Sequence, residues 1–162
     1  METYTIEDLV WAIAADKGQV SLFFARCNYR KLRDEMMQQL RKSCDISEIE
    51  LQAEDESLYR KLKAFVAKEN PTALMIYGLV NVENIVEFLA STNNLREKFV
   101  ADFSFPIVFW VNDTMIGRFE ELAMDFKSFG KPISLPITEE AVRVNLQDTI
   151  RRGVRGDSKF YQ

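Results

Sequence analysis

An apolar run that passes directly into a helical pattern at residues 21–36 holds the side chains best suited to chemistry. In parallel α/β proteins such a strand–helix junction binds anions through the free N–H groups of the helix N-terminus. The junction here contains Arg26 and Asn28, and Arg30 follows in the first helical turn. These three side chains are therefore candidate ligands of a phosphate group or of an acidic partner.

A solvated helix face is the competing interpretation of the same basic residues. Arg30, Lys31 and Arg33 are followed by Asp34 and Glu35 at spacings that allow ion pairs between Arg30 and Asp34 and between Lys31 and Glu35. Exposed pairs of this kind are common and contribute little to stability. We favour the solvated face over an anion site.

The motifs of a nucleotide hydrolase are missing at the two positions where they belong. A phosphate loop reads G-x-x-x-x-G-K-[ST], whereas residues 25–32 contain no glycine, which excludes such a loop. Residues 77–80, after the third apolar run, contain no carboxylate to hold magnesium. Glu83 comes later and fits the first turn of a helix, where negative charge is favourable.

Polar residues also follow the fourth apolar run, in the sequence Asn112-Asp113-Thr114. A polar side chain at this edge of a sheet can contact a phosphate, and Asn112 is the candidate for that role. Asp113 or Thr114 is equally what a helix start requires. We favour capping.

Catalysis by common side-chain mechanisms has little support in the composition. The chain has no histidine, and its two cysteines are Cys27 and Cys44. Cys27 lies near a helix start and Arg26, which favours a thiolate. Without a histidine base or a C-x-x-C pair, we favour a structural or merely oxidisable cysteine. We predict no catalytic residue, no metal site and no cofactor.

Length and charge restrict the class of protein and its partners. The 162 residues suit one domain, which we place at residues 1–150, followed by a basic tail at 151–162. The net charge of −4 makes nucleic acid an unexpected partner, although the tail could bind it locally. No apolar run has the length of a membrane span, and the acidic N-terminus does not resemble a secretory signal, so we expect a cytoplasmic protein.

Short apolar runs alternate with helical periods, which predicts an α/β fold with three layers and a mainly parallel five-stranded sheet flanked by helices. Two of the runs are continuously apolar and should be central in the sheet. The predicted strands are residues 20–25, 46–51, 73–79, 107–111 and 133–137.

Helix starts are predicted at residues that can cap a helix with their side chains. A capping box at residues 5–8 should open the first helix. Asn28 should cap the second and Ser57 the third, which should end before Asn70-Pro71. Later helices are predicted from Asn84 or Asn81 through residue 99, over residues 115–129 after Thr114, and over residues 141–150.

One region resembles a pattern found in large bacterial, chiefly cyanobacterial, signalling proteins in which ATPase-like regions are joined to repeats. The run Phe103-Ser-Phe-Pro-Ile-Val-Phe-Trp-Val-Asn-Asp113, then Ala123-Met-Asp-Phe-Lys-Ser-Phe129, is similar to their F-P-F-P and A-P-D-F-x-S-W segments. Residues 73–78, 81–85 and 92–97 also fit, so that the resemblance covers residues 20–129. Methionine replaces the proline at 124, and phenylalanine replaces the tryptophan at 129.

The resemblance implies a degenerate P-loop domain similar to AAA+ and signal-transduction ATPases, with strand order 5-1-4-3-2. It does not imply activity, because the phosphate-loop and magnesium positions are empty in this sequence. Only Asn112 lies near the place where such ATPases keep a polar sensor residue.

The expected function is a non-catalytic protein-interaction or signalling module. Its partner would be another protein, a neighbouring domain of a larger protein or a second copy. Trp11, Tyr59 and the arginines at 151–155 are contact candidates by residue type, although Trp11 is more readily assigned to the core. The alternative is a working nucleotide- or phosphate-binding domain that uses Arg26, Asn28 and Arg30.

Overall fold

A computed structural model of the chain describes residues 4–135 and Ile150. Residues 4–135 contain five strands and seven α-helices, with one or two helices between successive strands and one short 3₁₀ turn at Leu79–Asn81. The elements in chain order are α1 Ile6–Ala15, β1 Ser21–Arg26, α2 Arg30–Ser43, β2 Ser47–Glu50, α3 Leu58–Glu69, β3 Leu74–Tyr77, α4 Ile85–Asn94, α5 Arg96–Asp102, β4 Pro106–Val111, α6 Asp113–Leu122, α7 Met124–Lys127 and β5 Gly130–Ser134.

The five strands form one sheet in the order β2-β3-β4-β1-β5, and all neighbours are parallel. This is the predicted order 5-1-4-3-2 read from the other side, so the fold class and the strand order are confirmed. The chain crosses from β4 over β1 to reach β5. Neighbouring strands β1 and β4 therefore lead into connections on opposite sides of the sheet, which is where α/β proteins bind ligands.

Alternation along β1 divides the core into two halves. Leu22 and Phe24 face a large aromatic-rich cluster beneath helices α3 to α7, whereas Phe23 and Ala25 face a smaller cluster beneath α1 and α2. Every residue of β4 is buried, as expected for a central strand covered on both faces. The sheet is thus held by apolar packing that needs no bound phosphate.

Local capping explains where the first and third helices begin and end. The Thr5 hydroxyl accepts from the Asp8 N–H at 3.0 Å, and the Asp8 carboxylate accepts from the Thr5 N–H at 2.9 Å, so the predicted capping box is confirmed. Ser57 accepts from the Arg60 N–H and opens α3. Asn70 ends that helix in a left-handed conformation, with φ 45°.

The predicted long helices are each interrupted, and those predictions are wrong in extent. The helix expected through residue 99 breaks at Leu95, and the helix expected over residues 115–129 breaks at Ala123. Asn93 contributes to both interruptions: its carbonyl accepts from the Arg96 guanidinium at 2.7 Å, and its side chain accepts from the Phe126 N–H at 2.9 Å. The second contact joins residues 33 positions apart, so it has no local sequence signal.

The last strand begins three residues earlier than predicted, at Gly130 rather than Ile133. A Cβ at Gly130 would lie 2.4 Å from a ring carbon of Phe24, so glycine allows the ring of β1 to lie against the backbone of β5. Pro132 is tolerated because β5 is an edge strand, and β1 is its only neighbouring strand among the described residues. The predicted helix at 141–150 and the basic tail lie outside the described residues, except for Ile150.

Among the described residues, none of the helices is both long enough and apolar enough to span a membrane.

Candidate functional site

The candidate site lies at the carboxyl edge of the sheet, where β1 and β4 end side by side. Arg26 is the last residue of β1 and is in register with Val111, the last residue of β4. Asn28 follows β1 in the connection to α2, and Asp113 is the first residue of α6. The parallel pairing therefore brings residues 85 and 87 positions apart into contact.

Arg26, Asn28 and Asp113 form a closed hydrogen-bonded group, which we call the Arg26–Asp113 cluster. The guanidinium of Arg26 donates to both carboxylate oxygens of Asp113, through Nε to Oδ1 and through Nη2 to Oδ2 at 3.0 Å. Asn28 donates through Nδ2 to Oδ2 of Asp113 at 3.1 Å and accepts from the Asp113 N–H through Oδ1 at 2.8 Å. Arg26 and Asn28 thus each make two hydrogen bonds with Asp113.

Electrostatics in the cluster favour the charged forms of both ionisable groups. The hydrogen bond from Arg26 lowers the pKa of Asp113 most; burial opposes it, and the hydrogen bond from Asn28 adds a smaller lowering. The same ion pair raises the pKa of Arg26. Both side chains are about half exposed, at 43% for Arg26 and 53% for Asp113, so solvent screens the attraction.

The structure corrects the expected role of Asn28. We predicted that it caps α2, but the N-cap position is Tyr29, and no side chain caps this helix. The amide of Asn28 is used by Asp113 instead. The first N–H groups of α2 therefore have no side-chain acceptor. Such N–H groups at a helix start can donate hydrogen bonds to an anion.

Asn112 is a helix cap, which was the favoured interpretation of its segment, although Asp113 or Thr114 was expected to be the capping residue. Its side chain accepts from the Met115 N–H at 2.8 Å and opens α6. The side chain that would contact a phosphate in a sensor role is thus already hydrogen-bonded. Asp113, considered only as a cap from the sequence, is the central residue of the cluster.

The basic residues of α2 separate into two environments. Arg30 is exposed, and within the described part of the chain it makes no ion pair and no hydrogen bond with Arg26 or Asn28. Arg33 is 5% exposed, which contradicts its assignment to a solvated face. Its guanidinium bonds Asp34 at 2.8 Å and lies 5.0 Å from the centre of the Tyr77 ring, so the predicted Arg30–Asp34 pair is replaced.

The end of β3 carries an aromatic residue where a hydrolase would carry acids. Tyr77 ends the strand, and Gly78 follows with φ 84°. A Cβ there would lie 3.1 Å from the Leu51 carbonyl oxygen, so this turn requires glycine. No group of three potential metal-ligating side chains occurs within the described ranges.

Cys27 lies inside the smaller core cluster rather than at an open mouth of the sheet. Its thiol is 4% exposed and lies 3.3 Å from the Tyr29 carbonyl oxygen. Burial raises the pKa of Cys27, which opposes the thiolate form that a nucleophile needs.

The burial of Trp11 and Tyr59, two candidate contact residues, is the reverse of what was expected. Trp11 is 75% exposed, so its assignment to the core is wrong. Tyr59 is buried, packs against Phe103 and donates its hydroxyl to Asp102, which removes it from the list of surface contacts. The arginines at 151–155 lie outside the described residues.

Comparison with known proteins gives no family assignment. No protein-family model matches the chain, and no curated protein matches it.

Proposed function

We propose that this chain is a non-catalytic protein-interaction or signalling module that keeps an ATPase-like α/β fold without the machinery to grip a triphosphate. The proposal includes a cytoplasmic location, which follows from the character of the N-terminus and the absence of an apolar span in the sequence, and a bacterial signalling setting, which follows from the resemblance at residues 20–129 alone. Its partner is a protein surface, either a neighbouring domain, another protein or a second copy of the chain.

The observation that carries the proposal is the occupation of the carboxyl edge by the chain's own carboxylate. Asp113 receives the hydrogen bonds of Arg26 and Asn28 that a phosphate oxygen would need. In effect, an aspartate supplies the anion of this site. A nucleotide phosphate would have to displace the Asp113 carboxylate, which is part of the protein. The chain has no glycine-rich loop here whose N–H groups would bind the phosphate and offset that loss.

The exposed indole of Trp11 supports an interaction role. It projects from α1, whose opposite side is anchored by the fully or nearly buried Leu9 and Ile13. Tryptophan is enriched among the residues that dominate protein interfaces, since it offers large apolar area with few rotatable bonds. A capped and anchored helix presents that area with little loss of conformational entropy on binding.

The first experiment tests the absence of nucleotide chemistry. Isothermal titration calorimetry with Mg-ATP should give no binding heat, and a phosphate-release assay should give no turnover above buffer. Binding in the micromolar range or a measurable turnover would reject the proposal in favour of the phosphate-binding alternative.

The second experiment tests the interaction surface. A photoreactive phenylalanine analogue placed at position 11 should yield one protein adduct of defined mass, whereas the same group at Val86 should yield none. Val86 is a matched control, because it is 50% exposed and lies on α4 across the sheet. Equal adducts at both positions, or none at position 11, would contradict Trp11 as the contact residue.

A further inference from the structure

A cavity of about 480 Å³ lies between edge strand β5 and helices α6 and α7, which we call the β5 cavity. Its apolar wall includes Phe24 and Ile116, and Pro132 contributes from the edge strand. Its charged groups are Arg26, Lys127 and Lys131, with Asp113 at one side. The volume is within the range of sites that hold small organic ligands, which are mostly apolar with a few polar groups.

The apolar wall is rigid because Phe24 belongs to a packed aromatic group. Its ring stacks on Phe109 with centroids 5.2 Å apart and meets the edge of Phe119 at the same distance. On the other side, Gly130 allows the ring to touch the backbone of β5. A ring fixed from several directions keeps the shape of the wall without a ligand.

The charges around the cavity are unbalanced in favour of cations. Asp113 offsets Arg26, and Lys127 is 3.7 Å from a carboxylate oxygen of Glu120, which is a loose pairing. Lys131 makes no ion pair with any residue that the structure describes. Lys131 is therefore able to pair with an anionic group of a ligand. The apolar wall next to it can contact the apolar part of the same ligand.

We propose that the β5 cavity binds a small carboxylic acid with an aromatic or aliphatic body. The body packs against Phe24 and Ile116, and the carboxylate pairs with Lys131. A bare phosphate would leave the apolar wall in water, and a neutral hydrocarbon would leave Lys131 unpaired. Lys131 lies in register with Phe23 on the edge strand and also borders the pocket beside Trp11, so the β5 cavity and the Trp11 surface adjoin. Ligand binding in the cavity does not depend on the proposed interaction function.

The test uses 1-naphthoate as the probe and the full chain as the protein. Calorimetry and amide chemical shifts should show saturable binding, with the largest shifts in β5 and α6. Lys131→Glu should weaken binding by about fivefold to tenfold, because it reverses a charge next to the carboxylate. Lys17→Glu is the matched control, since Lys17 is exposed and precedes the amino end of β1; it should leave the affinity unchanged.

Several outcomes would overturn the proposal. If the neutral analogue 1-naphthalenemethanol bound as tightly as 1-naphthoate, Lys131 would have no role in binding. If Lys131→Glu and Lys17→Glu weakened binding equally, the attraction would be non-specific. An absence of binding by every form at millimolar concentration would dismiss the site.

Discussion

Arg26 at the end of β1 and Asp113 at the start of α6 form a two-pronged ion pair, with Nη2 3.0 Å from Oδ2, that closes the carboxyl edge of the sheet between β1 and β4. Asn28 completes the group by bonding both the side chain and the backbone of Asp113. The place where an α/β fold of this strand order offers an anion site therefore holds a carboxylate from the protein.

The stability contribution of Asp113 should depend on pH in an acidic window. Because folding lowers its pKa, the ion pair stabilises the protein above the unfolded pKa of about 3.9 and is lost as the pH falls through the folded pKa. Urea unfolding should show Asp113→Asn less stable than the natural chain by under about 1 kcal/mol near neutral pH, since both groups are half exposed. The difference should shrink as the pH falls below the unfolded pKa and should vanish once the pH is below the folded pKa. A difference that grew on acidification would contradict this account.

Removing the Asp113 carboxylate should also create an anion site. In Asp113→Ala the groups of Arg26 and Asn28 are freed beside the uncapped start of α2. Added inorganic phosphate should then raise the melting temperature of the variant more than that of the natural chain. The double variant Arg26→Ala with Asp113→Ala is the control and should lose the gain. Equal phosphate responses in all three proteins would show that Asp113 does not replace an anion.

Buried elements could be predicted from continuous apolar runs in the sequence, whereas the Arg26–Asp113 cluster could not. The apolar run at residues 107–111 indicated a central strand, and β4 is buried along its whole length. Arg26 and Asp113 are separated by 87 positions, and only the adjacency of β1 and β4 brings them together. The sequence did contain one signal for this contact. Arg26 and Asp113 have opposite charges, and each lies at the end of a strand; the expected strand order places those two strands side by side.

The error at Trp11 has a physical reason in helical geometry. Leu9 and Ile13 are four residues apart and share the buried face of α1. Trp11 lies two residues from each, so the 3.6-residue period places it on the opposite face. The prediction placed Trp11 on the apolar face of the helix, whereas its position in the period puts it on the exposed face.

Two glycines provide a matched test of the close contact between β1 and β5. Gly130→Ala should destabilise the fold by about 1–3 kcal/mol, because its Cβ would overlap the Phe24 ring held in the aromatic group. Gly117→Ala should stabilise by up to about 1 kcal/mol, since Gly117 lies within α6 and a Cβ there meets nothing within 4 Å. Chemical unfolding of both variants measures the difference. If both variants changed the free energy of unfolding by similar amounts, the Phe24 ring would be able to move away from the added Cβ at little energetic cost.

Arg33 should matter more for folding than Arg26, although both are arginines in ion pairs. Arg33 is almost fully buried and lies over the Tyr77 ring, whereas Arg26 is half exposed. We expect Arg33→Ala to lower the free energy of unfolding by about 2 kcal/mol through lost packing and lost cation–π attraction. Arg26→Ala should cost less than about 1 kcal/mol. A double-mutant cycle with Tyr77→Leu should show coupling for Arg33, and zero coupling would contradict the ring contact as the cause.

The two thiols should differ sharply in their reactivity. Burial raises the pKa of both Cys27 and Cys44, but Cys27 is 4% exposed and Cys44 only partly buried. A maleimide reagent at neutral pH should therefore label Cys44 in the folded protein, whereas Cys27 should react only when the chain unfolds, because the thiolate is disfavoured and inaccessible. Mass spectrometry of Cys44→Ser, with and without urea, isolates Cys27, and Cys27→Ser serves as the control for Cys44. Rapid labelling of Cys27 in the folded Cys44→Ser variant would reveal an activated thiol and would reopen a nucleophilic role at the end of β1.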